Sequence, residues 1–521
     1  MMRLEVAYMV FKVLLLVVFF VLMLAIGVYC RKTGSSIDNF VLGGRRVGPW
    51  LSAFSYGTSY FSAVIFVGYA GQFGWRFGIS ATWIGLANAL VGCFLAWVVL
   101  GRRTRAMTRH LKSTTTPDFF QLRFASVNLK LAASLIIFVF MIPYTASLYN
   151  GLSRIFGMAF NIDYSICVIA MAALTGVYVI VGGYMATAIN NVIQGVIMLG
   201  GVIAVVASVL SGLGGFSEAV KSLSQAGDNG AYTSLFGPDP KSLLSVMILT
   251  SLGAWGLPQM VHKFYAIKDD GSIKSGAVIS TVFALVIGCG AYFLGGFARL
   301  FDSPAIRNAS GAVIYDSIVP FMLSSMSDIL IGFVVVLIMS ASMSTLSALV
   351  MTSSSTLTLD FIKGTLVKDM SEKKQLALMR IFLVFFIAVS AGIAIWQHGS
   401  SVSFIAQLMG ISWGAMAGSF LAPFLYGLYW KRTTAASAWA CFIFSVCLMV
   451  SNLIFKFIAS PVTAGAIAIV AGLVICPAVS LLTKKPDTGR VEEIFSCYET
   501  KENRSGARHH PLAVNHPDKL V

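Results

Sequence analysis

Hydroxyl side chains crowd one apolar stretch of this chain. Between Ser340 and Thr358, eleven of nineteen residues are Ser or Thr, directly after the apolar run 331–339. Ala341, Ser344 and Thr345 stand at i, i+3 and i+4, so on a helix they share a face and offer one backbone carbonyl and two hydroxyl oxygens to a common point. That is the outline of a site for a small hard cation. The alternative is that these hydroxyls bond back to the preceding turn or across to a neighbouring helix, as Ser and Thr do in membranes.

A second segment supplies the rest of such a shell. Ser55-Tyr56-Gly57-Thr58-Ser59-Tyr60-Phe61-Ser62 puts polar side chains and a glycine in the middle of the apolar segment 50–74. Thr58 and Phe61, three apart, can turn backbone carbonyls freed by a helix break toward Ala341, Ser344 and Thr345, giving five oxygens. Carbonyl and hydroxyl dipoles suit a monovalent ion such as Na+. Proton carriage is less well served, since Asp163, Asp328 and Asp360 fall at expected segment ends, as do His262 and His398, and every Glu lies in a loop or terminus.

The elements that must hold these residues are membrane helices. The chain is 57% hydrophobic and 11% charged, with mean hydropathy +0.83, far from the roughly quarter-charged mixture of soluble domains. Thirteen apolar spans are expected, at 7–30, 50–74, 77–100, 131–152, 164–182, 190–212, 242–261, 275–298, 327–350, 376–396, 403–429, 435–458 and 464–482. No cleavable signal peptide is expected at the start. The net charge of +16 does not form one basic stripe, which argues against nucleic acid. Loops 31–49, 101–130, 262–274, 359–375, 431–434 and 483–521 hold 27 of the 37 Lys and Arg, and the opposite side holds 8. The basic side is cytoplasmic by the positive-inside rule, so the N-terminus is expected outside and the C-terminus inside. The eight cysteines contain no CxxC and read as small buried apolar residues. One transmembrane domain, 1–482, and a flexible cytoplasmic tail, 483–521, are expected.

Two spans carry interruptions. Besides 50–74, the span 242–261 contains Gly253-Ala254-Trp255-Gly256-Leu257-Pro258. Proline removes a backbone donor and glycine loosens the turn, which is tolerated at membrane depth only where the freed groups line a cavity or meet other protein. These are the second and seventh spans, and such spacing is the mark of an inverted-repeat secondary transporter with its site at the repeat interface.

The residues quoted so far resemble the sodium:solute symporter family, which includes bacterial proline, pantothenate, sialic acid and galactose carriers and the animal sodium–glucose carriers. Phe40-Val41-Leu42-Gly43-Gly44-Arg45 is similar to its opening signature, and Ala341-Ser342-Met343-Ser344-Thr345-Leu346-Ser347 to its sodium helix, which ends in Thr358-Leu359-Asp360. Gly182-Gly183 and Trp430-Lys431-Arg432 fit as well, so the likeness runs from about 38 to 432. It implies an all-α, LeuT-like core of five plus five inverted helices, repeats about 50–212 and 242–429, with one extra helix before and two after. Carried over residue by residue, it places Na+ on the backbone of Thr58, Phe61 and Ala341 and the side chains of Ser344 and Thr345.

This chain departs from the family in two places. Asn191 stands where members often have an Asp that serves a second sodium, and Ala348 replaces a hydroxyl of that site, so one Na+ per solute is expected. Where the sugar carriers use polar residues, the chain has Ile65 and Ile84. Tyr144-Thr145-Ala146-Ser147 through Arg154-Ile155-Phe156, and Gly78-Ile79-Ser80 with Trp83-Ile84, resemble the proline carriers. The expected function is therefore Na+-coupled import, by alternating access, of a small carboxylate-bearing solute such as an amino acid or monocarboxylate. Sugar, sialic acid or another polar solute is the alternative. A membrane sensor, a passive channel and an enzyme are weaker readings; the 39 residues after 482 cannot hold a kinase domain. Ser59, Tyr60, Ser62, Tyr144 and Trp255 are the candidate solute contacts, the alternative for the aromatics being core packing. The protein is expected to act as a monomer in the plasma membrane, a bacterial inner membrane, with lipid, Na+ and the solute as its partners.

Overall fold

The computed structural model describes residues 2–31, 36–160, 162–367, 369–398 and 405–499. Among these there is no β-strand, and helices follow one another from Met2 to Tyr498. Among the described residues, ten helices are long and apolar enough to cross a membrane, or eleven if the bent pair Pro240–Gly256 and Pro258–Tyr265 is one span. The other two of the thirteen expected spans lie beside two glycine turns near their expected boundaries and are not separate long helices. Gly78, at φ +63°, turns the chain inside the helical run Val64–His110, which therefore covers part of one expected span and all of the next. Gly183, at φ +59°, divides Tyr164–Gly212, and the piece before it is a short apolar helix, Tyr164–Val177. A side chain at either position would strain the backbone, because only glycine adopts these angles at little cost.

Both expected interruptions are present. The first span runs as Pro49–Tyr60, leaves the helix at Phe61 (φ −99°, ψ 98°) and resumes at Val64. Ser62 caps the restart, its Oγ accepting from the Val64 amide at 3.3 Å. The second leaves the helix at Leu257 (φ −77°, ψ 122°), and Pro258, which has no amide hydrogen to leave unsatisfied, opens the new helix. The bend there is 44°.

The hydroxyl-rich segment is one helix, Asp328–Thr356, continued by a wider turn through Leu357–Leu366. Every residue from Val334 to Thr356 is buried, so protein surrounds it on all sides. It packs on Pro49–Tyr60, Val127–Phe160 and Tyr164–Gly212. Ile405–Tyr429 packs on Pro461–Leu482 through small residues, with a Cβ at Gly414 falling 2.7 Å from the Gly465 Cα. The first helix, Met2–Tyr29, exposes Val10, Val13, Leu14, Val17, Val18 and Val21, as a lipid-facing helix does.

On the basic side, the stretch before the first broken span pairs with the end of the second: Val47 N donates to Ala266 O at 3.1 Å and Lys268 N to Val47 O at 3.0 Å. The expected flexible tail needs correction in its first part. Thr488–Phe495 is a helix capped by Asp487, with Val491, Ile494 and Phe495 buried, and Arg490 Nη2 donates to Leu122 O at 2.9 Å. Residues 500–521 of that tail lie outside the described residues, as do 399–404 and the side chain of His398.

Candidate functional site

The oxygens expected to form one cluster do meet. Ser344 Oγ donates to the Thr58 carbonyl, 2.9 Å away, and lies 3.1 Å from the Ala341 carbonyl. Thr345 Oγ1 lies 3.3 Å from the Thr58 carbonyl, 3.3 Å from that of Ser59 and 3.2 Å from that of Ala341. All of these residues are buried. A hydroxyl has one hydrogen to give, so Ser344 and Thr345 have more acceptors than protons and the cluster has a surplus of lone pairs. A desolvated cation satisfies that surplus.

Four of the five expected ligand groups are thus together. The fifth, Phe61, stands at the break, and its amide bonds Gly57 O at 3.1 Å. None of the hydrogen bonds that join this cluster reaches the Phe61 carbonyl; the additional oxygen is that of Ser59. An extended residue directs its carbonyl away from the helix axis, so the step out of the helix decides which carbonyls face the hydroxyls.

Of the expected solute contacts, three are already satisfied within the protein. Tyr60 OH donates to Thr250 O at 2.6 Å, Trp255 Nε1 to Val91 O at 2.9 Å, and Ser62 Oγ accepts from Val64. Ser59 Oγ is buried with no hydrogen-bond partner, and Tyr144 OH is buried beside Ser62 and Trp413 without a well-formed hydrogen bond. Leaving such groups unpaired costs about 1–3 kcal/mol each.

Two residues missed in the sequence join them. Trp413 lies between the candidates, stacked on Tyr60 at 6.3 Å and edge-on to Tyr144 at 5.9 Å between ring centroids, with its Nε1 unpaired. Gln259, next after the Pro258 restart, is buried with both amide atoms unpaired. The signal for Trp413 was a lone large residue among Gly410, Gly414 and Gly418; for Gln259 it was a polar residue one position past the break.

The acids are as few as expected, though not all lie at exposed ends. Asp360 is buried, accepting from Thr115 Oγ1 at 2.6 Å and lying 3.3 Å from Lys130 Nζ, which also holds Asp118 at 2.9 Å. His262 is buried too, its Nε2 donating to Thr114 O at 3.2 Å. Asn191 Nδ2 donates to Ser55 Oγ at 3.3 Å, bridging Tyr164–Gly212 and the first broken span where an acid would stand in a second sodium site.

The model of the sodium:solute symporter family matches residues 40–444. The chain belongs to this family. It is 30% identical to a sodium/proline symporter of Haemophilus influenzae over 426 residues, 80% of this chain and 83% of that protein. It is 27% identical to the osmoregulated proline transporter OpuE of Bacillus subtilis over 480 residues, 90% and 94% of the two chains. Among solved structures, a Na+-coupled sialic acid symporter in a substrate-bound outward-open state superposes with a TM-score of 0.75 at 19% identity, covering 91% of this chain and 98% of that one. The nucleobase-cation-symport transporter Mhp1 does so at 0.51 and 16% identity, covering 87% and 97%. The fold is LeuT-like, and the protein is a multi-pass plasma-membrane transporter of this symporter family, coupling Na+ to a small solute.

Proposed function

We propose that this symporter imports a small carboxylate-bearing solute, an amino acid of the proline type, with one Na+ held by Thr58 O, Ala341 O, Ser344 Oγ and Thr345 Oγ1 and completed by the Phe61 carbonyl. The observation that carries the ion site is the mutual approach of the first four oxygens to 2.9–3.3 Å with no carboxylate among them. The solute is bound beside it, against Ser59, Tyr60, Ser62, Tyr144 and Trp255, with Trp413 between the rings. Amides freed at the two breaks take its carboxylate, as half-helix N-termini do in transporters. The relatives named as proline carriers support this choice of solute. Ile65 and Ile84, both fully buried, leave a sugar without hydrogen bonds at those positions. Alternating access by a monomer, N-terminus outside and C-terminus cytoplasmic, completes the reading. In proteoliposomes, an inward Na+ gradient at constant pH should accumulate L-proline; equal accumulation under a proton gradient without Na+ would overturn it.

A further inference from the structure

Lys263 lies on Pro258–Tyr265, the half-helix after the second break, and is only 4% exposed. Three arginines on the basic side each find at least one acceptor, although Arg45 Nη1 and Arg109 Nε are buried without one. Arg45 Nη2 donates to Ser113 O at 2.6 Å, Arg109 Nη2 to Arg45 O at 2.7 Å and Ile267 O at 2.9 Å, and Arg105 Nη1 to Asp270 at 2.7 Å. Lys263 forms no ion pair among the described residues. Its ammonium instead lies 5.4 Å from the centroid of the Tyr184 ring, whose own hydroxyl is buried and unpaired.

Burying a lone ammonium is costly, and a ring face returns only part of that cost. Gln259, four residues earlier on the same half-helix and so on the same face, has both amide atoms unpaired. The two positions are about 6 Å apart along the axis at 1.5 Å rise per residue. This half-helix packs on both helices that form the oxygen cluster, Pro49–Tyr60 and Asp328–Thr356. Its Gln259 end begins at the break and its Lys263 end approaches the basic side. Two side chains without a polar partner therefore follow the break toward the basic side: Gln259, then Lys263 beside Tyr184.

We propose that Lys263, with Gln259 and Tyr184, forms a second carboxylate subsite on the cytoplasmic side of the solute site, which receives the solute's carboxylate during release. This rests on the carboxylate-bearing solute and the orientation given under Proposed function. A lysine at this position lowers the barrier to leaving the break, because the carboxylate passes from amide dipoles to a full positive charge without crossing an apolar gap. It serves the cytoplasm-facing state and contributes little to capture from outside.

The test compares the two faces of the membrane. L-Proline half-saturation is measured in right-side-out vesicles for the outer face and in inside-out vesicles for the cytoplasmic face, with K263Q, K263R and Q259L. K263Q should raise the cytoplasmic value about tenfold and the outer value less than twofold, and K263R should restore the parent value to within about threefold. Inhibition from the cytoplasmic face by prolinamide, which lacks the carboxylate, should be the same in K263Q and the parent. Should K263Q fail to fold, Q259L carries the test with an expected rise of about threefold confined to the cytoplasmic face. Unchanged cytoplasmic values in K263Q or Q259L, or equal shifts on both faces, would overturn the subsite while leaving parental L-proline uptake intact. A parent protein that accumulates no carboxylate solute under a Na+ gradient would overturn the proposed function and the subsite together.

Discussion

At Phe61 the chain leaves its helix among hydroxyls, and at Leu257 it does so among glycines and a proline. The first break is bonded from outside itself: the Thr58 and Ser59 carbonyls meet Ser344 and Thr345 across the helix interface, and Ser62 caps the restart. The second is held by close packing. A Cβ at Gly256 would fall 2.9 Å from the backbone of Ala417, one at Gly253 would fall 3.3 Å from the Trp413 ring, and Pro258 keeps the helix from closing. On the proposed reading, the break that presents oxygens to a partner helix builds the cation site, whereas the one beside the unpaired Gln259 amide builds a place for an anion. The repeat architecture thus supplies two interruptions, and the side chains around each decide the charge it attracts.

The largest effect should come from the packed break. G256V pushes two further methyl groups into the Ala417 backbone, which has no rotamer to yield, so folded protein and Na+-driven uptake should both fall more than tenfold. Size-exclusion profiles of the purified variant and uptake per folded molecule check this; a well-folded G256V with parental uptake would show that the second break does not depend on that contact. At the bonded break the changes are gentler. S344A or T345A each removes one oxygen of about 1 kcal/mol, raising the Na+ needed for half-maximal uptake about fivefold. Parental Na+ dependence in both variants would make these hydroxyls helix-packing groups.

The smallest effects separate the two tyrosines. Y60F deletes a satisfied hydrogen bond to Thr250 and should lower stability by about 1 kcal/mol with little change in solute half-saturation. Y144F deletes a hydroxyl without a well-formed hydrogen bond, so stability should hold while solute half-saturation rises about threefold. Chemical denaturation and uptake kinetics read the two quantities, and the reverse pattern would move the solute from Tyr144 to Tyr60. Asn191 and Ala348 set a last point: the solute gradient that balances a known Na+ gradient and voltage should give a coupling ratio near one, and a ratio near two would show that neutral oxygens suffice for a second ion.

The bonded break was legible because its evidence is local. Spacing of i, i+3 and i+4 fixes a helix face, and a run of polar residues in an apolar span marks a break, so Thr58, Ala341, Ser344 and Thr345 were found before their contacts were known. Phe61 was named from the same break, but the direction of its carbonyl depends on a backbone angle that no residue type specifies. Trp413 and Gln259 escaped because sequence gives a residue's face only relative to its own helix, and their roles come from what lies opposite. Gly78 and Gly183, both at positive φ, fall beside boundaries drawn in the sequence; the number of separate long helices differs because the helical run Val64–His110 continues across the first and the helix before the second is short. The helix at Thr488–Phe495 is legible too, with Asp487 as cap and Val491, Ile494 and Phe495 on one face, although the segment around it is polar.

The central claim is that neutral oxygens from the first broken helix and its hydroxyl-rich partner hold the coupling ion. Equilibrium binding of radioactive Na+ to the purified parent and to the S344A/T345A double variant, both shown to be monodisperse, tests it without reference to any solute. Saturable Na+ binding in the parent and its loss in the double variant is the result expected. Binding by the double variant with the parent's affinity would place the ion elsewhere and contradict the account.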